Sequence, residues 1–219
     1  MRRRDFRNIL GSAAALAVVG GASPAVPQPA SQEQRAVPIP PRTVRVGCCR
    51  CVDGISRSIT LSTRRAPWTV DGPGAGGPVP VAPANHVAWA PVPPAGWVGP
   101  ANARHAPPGV YVYELRILVP NCTIAATVSV SGRVAADNNF RLALGGNPPV
   151  TCTNNLCFQA GNVQPFGSWT LGPGLHTLRV TVNNSEGPTG MILSGTITAA
   201  CPRERSPRAL EAVPEIPTP

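Results

Sequence analysis

Apolar and polar side chains alternate with a two-residue period from Val110 to Cys201, and this repeat limits the chain to extended structure. Successive side chains of a strand point to opposite faces, so Tyr111, Tyr113, Leu115, Ile117 and Val119 share one face and Val112, Glu114, Arg116 and Leu118 the other. Ile124, Ala126, Val128, Val130 and Val134 repeat the period, as do Phe140, Leu142 and Leu144 before a Gly145-Gly146-Asn147 turn. Phe166 to Leu171, then Leu178, Val180 and Val182, then Met191, Leu193 and Ile197 supply later strands, and Ile59 and Leu61 an earlier one before Trp68-Thr69-Val70. Helical periodicity is absent outside the amino-terminal segment. About eight short strands separated by Gly, Pro and Asn turns predict an all-β chain with two antiparallel sheets packed face to face.

Composition agrees. Among 219 residues there are 22 Gly and 28 Pro against 13% charged residues, which excludes helical bundles and coiled coils laced with ion pairs. The length fits one domain with tails, because a single core commonly takes roughly 100 to 200 residues. Aromatic residues are only 5%, so Val, Leu, Ile and Ala must supply the core, and Trp68, Trp89, Trp97 and Trp169 are expected to plug the sandwich ends. Residues 71 to 109 are expected to be a long Pro/Gly-rich loop, pinned by tryptophans and available to cover a sheet edge.

The net charge of +9 comes mostly from the ends. Between Val52 and Ala200 there are eight Arg (57, 64, 65, 104, 116, 133, 141, 179) against five acids (Asp53, Asp71, Glu114, Asp137, Glu186), a difference of three. Apart from Arg64-Arg65 these arginines are dispersed, without the basic stripe and interleaved aromatics of a nucleic-acid groove, so no nucleic-acid partner is expected.

The start of the chain has the anatomy of an export signal over 1–25: Arg2-Arg3-Arg4-Asp5-Phe6-Arg7, an apolar run from Ile9 to Gly21, and small residues ending near Ala22 or Ala25. Arg3, Arg4 and Phe6 resemble a twin-arginine translocation signal. The apolar run is shorter than the roughly 20 residues that span a bilayer, and no second stretch approaches that length, so cleavage and a periplasmic or extracellular mature chain without a transmembrane segment are expected. A Pro-rich disordered linker is expected over 26–47, the sandwich over 48–201, and a disordered Pro-rich tail over 202–219. Within the tail, Ala212 to Pro217 resembles the opening of a PEP-CTERM sorting signal, but no apolar helix or basic terminus follows.

Seven cysteines fit an oxidising compartment. Cys152 and Cys157 flank a short polar loop and are the foremost disulfide pair. Cys48, Cys49, Cys51, Cys122 and Cys201 are further disulfide candidates of open connectivity, with one thiol left over. Cys48-Cys49-Arg50-Cys51 lacks the second Cys pair of a structural zinc site, and His86, His105 and His176 are scattered, so neither a metal nor a cofactor is expected.

The succession Gly109-Val110-Tyr111-Val112-Tyr113, Ala135-Ala136-Asp137-Asn138, Leu142-Ala143-Leu144-Gly145-Gly146, Pro165-Phe166 and His176 to Asn184 resembles galactose-binding-like jelly rolls. Such domains include the sugar-binding domain of family 2 glycoside hydrolases and ectodomains of exported bacterial proteins, and Ala66 to Val70 and Gly96 to Pro100 are similar to the opening strand and tryptophan loop of the latter. The resemblance spans about 50 to 201 and implies a jelly-roll sandwich that binds sugar. It implies no hydrolysis, since nothing here is similar to the catalytic barrel.

Trp97, Asp137 and Asn138 are the candidate ligand residues: a flat indole suits the apolar face of a sugar ring, and carboxylate and amide oxygens suit hydroxyls or calcium. The ordinary roles are packing for the tryptophan and turn bonding for the Asx residues, and one carboxylate is too few for a calcium cage. His105 or His176 with Asp137 is the only acid–base combination available to a hydrolase, and no Gly-x-Ser-x-Gly, His-Glu-x-x-His or paired-carboxylate pattern occurs. The expected function is that of an exported, non-catalytic binding or surface-interaction module with a glycan as the first ligand class. The alternative is a structural or assembly protein of the cell envelope, with a hydrolase more remote.

Overall fold

The computed structural model describes residues 43–47, 56–121 and 127–200. The export-signal residues Arg3, Arg4 and Phe6, the cysteines Cys48, Cys49, Cys51, Cys122 and Cys201, and the 202–219 tail lie outside these residues.

Two sheets face each other, as the alternation predicts. The first has the order β10 (Val150–Cys152), β9 (Asn139–Leu144), β12 (Gly174–Asn184), β7 (Gly109–Val119), β3 (Thr69–Asp71), β4 (Val79–Pro80), with β1 (Thr43–Arg45) beside β7. The second runs β11 (Gln164–Leu171), β8 (Thr127–Asp137), β13 (Gly190–Ala200), β6 (Val98–Gly99), β5 (Ala82–Pro83), with β2 (Arg57–Ser62) beside β13. Pairing is antiparallel except for β1, which lies parallel to β7 with Thr43 opposite Arg116. The chain passes from sheet to sheet along β7, β8, β9, β11, β12 and β13, the interleaved connectivity of a jelly-roll sandwich.

The inner faces are those read from the sequence. Tyr113, Leu115 and Ile117 of β7, Leu142 and Leu144 of β9, Leu178, Val180 and Val182 of β12, and Val134, Leu193 and Ile197 from the other sheet are fully buried in one core. The Gly145 turn forms with Gly145 in the left-handed region and Asn147 Nδ2 donating to the Leu144 carbonyl at 2.8 Å.

Three expectations about the strands need correction. The described residues hold thirteen strands rather than about eight, because pieces of two or three residues pair along the edges. Thr43–Arg45 lies inside the stretch expected as linker, yet pairs with β7 while Val46 enters the core, since the edge of β7 beyond β3 is otherwise unfilled. The loop from 71 to 109 also contains strands: β4 and β5 close the matching edges of the two sheets, with Pro80 and Pro83 at the edge positions where a missing N–H costs no ladder bond.

The tryptophans divide. Trp68 and Trp169 join the main core, whereas Trp89 and Trp97 pack with Val92 on Ala135 and Ile192, a separate cluster. Because Val134 and Leu193 face inward, their chain neighbours Ala135 and Ile192 face outward. Trp89 and Trp97 therefore cover the outer face of the second sheet and do not plug the sandwich ends.

The inner face of this sheet carries a compensating gap. Gly132 and Gly195 are paired across β8 and β13, and the Phe166 ring occupies the space above them: a Cβ on Gly132 would meet the Gly195 Cα at 2.6 Å and Phe166 Cζ at 2.7 Å. Beyond Phe166, β11 shifts register before Trp169, with Ser168 in the left-handed region, and this bulge brings both aromatic rings to the core. Gly132→Ala should lower stability by about 1–3 kcal/mol through overpacking, measured by urea denaturation, whereas an alanine at exposed, unobstructed Gly161 should leave the midpoint nearly unchanged.

Candidate functional site

Where the two sheets end at β4 and β5, a cleft of ≈ 1190 Å³ opens between their edge segments. Its size exceeds the roughly 300–1,000 Å³ typical of small-molecule pockets, leaving room for an extended ligand. Four stretches build it: the turn after β2, the β4–β5 connection, the loop before β6, and a 3-10 turn at Ala103–His105. Arg64, Asn85, Asn102, Arg104 and His105 supply exposed polar groups, and Trp68 and Trp97 supply buried aromatic wall.

Each wall has an identifiable anchor. Thr63 Oγ1 donates to the Gly96 carbonyl at 2.5 Å, tying the turn after β2 to the loop before β6. Arg64 lies across Gly96, where a Cβ would meet its Cγ and Cδ at 2.9 Å. The 3-10 turn is held by Ala103, buried against Gly99, and by the Thr189 amide donating to the Ala103 carbonyl at 2.8 Å. Trp68 is 2% exposed, and its indole N–H has no acceptor among the described residues.

The three residues singled out from the sequence form one connected chain of contacts, of which Trp97 reaches the cleft. Trp97 stacks on Trp89 with centroids 4.4 Å apart and donates its N–H to the Ala90 carbonyl at 2.8 Å. Trp89 donates its own N–H to Asp137 Oδ2 at 2.8 Å. Asp137 Oδ1 accepts from Asn138 Nδ2 at 2.8 Å, and Asn138 Oδ1 accepts from the Ser185 amide at 3.0 Å and hydroxyl at 3.2 Å. The peptide bond joining Asp137 to Asn138 is cis. Both carboxylate oxygens are thus engaged within the chain, and Asp137 and Asn138 lie outside the cleft lining.

Burial raises the Asp137 carboxyl above its ordinary value, opposed by the Trp89 N–H and by the charge of nearby His86. The ring centroids of His86 and Trp89 are 5.7 Å apart. His105 lies in the cleft lining, and His176 Nε2 bonds to the Gly172 carbonyl at 2.8 Å on the β11–β12 turn. Of the groups considered for a hydrolase, Asp137 is bonded to Trp89, His176 to its own turn, and His105 lines the cleft, to which Asp137 does not belong.

Cys152 and Cys157 form the expected disulfide, with Cα atoms 6.0 Å apart. Asn154 Oδ1 accepts from the Leu156 amide at 3.0 Å inside this loop. The next residue, Phe158, accepts from the Ala90 amide at 2.8 Å, so the bridged loop buttresses the tryptophan segment. Among the described residues no cluster of three or more His, Cys, Asp or Glu side chains occurs, and no helix is long and apolar enough to cross a membrane.

The sequence reading did not single out Arg64, Asn85, Asn102 or Arg104 as a group. They come from loops up to forty residues apart in the chain, and no local spacing signals their convergence.

No protein-family model and no curated protein matches the chain. Among solved structures it is similar to a family 35 carbohydrate-binding module from Clostridium thermocellum, at 13% identity and a TM-score of 0.37, covering 64% of this chain and 97% of that one. It is similar to a beta-D-glucuronidase of Dictyoglomus thermophilum at 12% identity and a TM-score of 0.35, covering 67% of this chain but 28% of the enzyme. A third similar structure is TmCBM61 in complex with beta-1,4-galactotriose, at 15% identity and a TM-score of 0.32, covering 60% of this chain and 87% of that one. No residue role is transferred from them.

Since the folded protein holds the Asp137 proton more tightly than the unfolded chain, this group's contribution to stability is fully present below the unfolded value and is lost as pH rises through the raised folded value. Asp137→Asn, measured by denaturant titration across acidic pH, should remove this downward slope of stability with rising pH.

Proposed function

We propose that this chain is an exported, non-catalytic binding module of the galactose-binding-like class, and that it takes a carbohydrate in the cleft between β4 and β5. The observation that carries the reading is the cleft itself: ≈ 1190 Å³, lined by exposed Asn and Arg side chains and by buried tryptophans. Amides and guanidiniums bond hydroxyl-rich ligands, and an apolar cleft wall suits their C–H groups. Trp97 acts here as wall rather than stacking platform, since its ring lies against Trp89 and 8% of it is exposed.

A non-catalytic role is supported by the state of Asp137, whose two oxygens are committed to Trp89 and Asn138. Export is supported by the twin-arginine-like start and by the Cys152–Cys157 bridge, which belongs to an oxidising compartment.

A glycan array probed with the oxidised chain should show saturable binding that weakens in Asn102→Ala. A flat array accompanied by self-association would favour a structural role at the envelope, and turnover of a glycoside or ester would overturn the non-catalytic reading. The intact mass of the exported protein, before and after reduction and alkylation, should show removal of about 25 residues. It should also show Cys152 and Cys157 alkylated only after reduction; a full-length, fully reduced product would refute export.

A further inference from the structure

Two cations in the cleft have no anionic partner among the described residues. Among the described residues the ion pair is Arg179 with Glu114, between β12 and β7, and neither Arg64 nor Arg104 takes part. No carboxylate belongs to the described cleft lining, so the positive charge of both guanidiniums is uncompensated there. Clefts lined by one sign of charge between low-dielectric walls concentrate the field and attract the opposite charge.

The two arginines also have a sense. A guanidinium donates hydrogen bonds and cannot accept them. Arg64 and Arg104 are of this type, and both line the cleft. Neutral sugar hydroxyls offer a donor and acceptor on each oxygen. Carboxylate and sulfate ester groups offer acceptors alone, and their paired oxygens match the fork of a guanidinium.

We infer that the ligand is an anionic saccharide, bearing carboxylate or sulfate groups that engage Arg64 and Arg104, an inference that rests on the carbohydrate reading above. Gly96 takes part as the surface across which Arg64 lies.

The test is calorimetric titration of the oxidised chain with oligogalacturonate, a sulfated galactan and an unsubstituted galactan. At least one acidic polymer should bind about tenfold or more tightly than the neutral one, with affinity falling as salt is added. Which acidic polymer binds distinguishes carboxylate from sulfate recognition. Arg64→Gln and Arg104→Gln, both at exposed positions, should each weaken binding about tenfold without moving the thermal midpoint. Neutral galactan binding as tightly as both acidic polymers, or both arginine variants binding like the parent, would overturn the anionic inference and leave the carbohydrate reading standing. Failure of all three polymers together with a flat glycan array would overturn both.

Discussion

The pairing of β8 with β13 is the constraint on which the other features depend. It runs unbroken from Asp137 opposite Gly190 to Thr127 opposite Ala200. Its inner face contributes Val134, Leu193 and Ile197 to the sandwich core, and its outer face offers Ala135 and Ile192 to the tryptophan loop. A strand pair dry on both faces along part of its length cannot slip by one residue without exchanging core and loop contacts, so its register is strongly specified. Asp137 ends this pairing on β8 with its carboxylate bound to Trp89, which fixes the ring on which Trp97 stacks.

From that base the cleft follows. The loop before β6 is pinned from below by the tryptophan pair, and the paired Val98 joins it to Met191 of β13. The disulfide loop supports the same segment through Phe158 and Ala90. The opposite wall grows from the turn after β2, held by Thr63, and the rim from the 3-10 turn anchored at Thr189. The cleft is therefore formed by loops, yet each loop is tied to a strand of the rigid sheets, the arrangement in which binding residues are commonly presented.

The sequence was legible where physics is local. The inner face of β7, the Gly145 turn and the bridge across the short polar loop of Cys152 and Cys157 all follow from period-two alternation or short spacing. Edge pairing was not legible, because Val79–Pro80 and Ala82–Pro83 are too short and too rich in proline to read as strands. Trp97, Asp137 and Asn138 do belong together, but the link is Trp89, a contact across 48 positions that alternation cannot reveal.

What the chain's residues determine alone is the all-β architecture, since alternation leaves one way to bury the apolar face of each strand, and the means of closing its tightest turn and its short disulfide loop. What the tertiary structure decided is which polar groups meet. Arg64, Trp68, Asn85 and Arg104 share a wall because β3–β4 and β5–β6 close the same side of the two sheets. Asp137 becomes a buried clasp for Trp89 because β8 ends beneath the tryptophan loop. Sequence distance carries no information about such contacts; they exist only once two sheets are stacked and their edges filled.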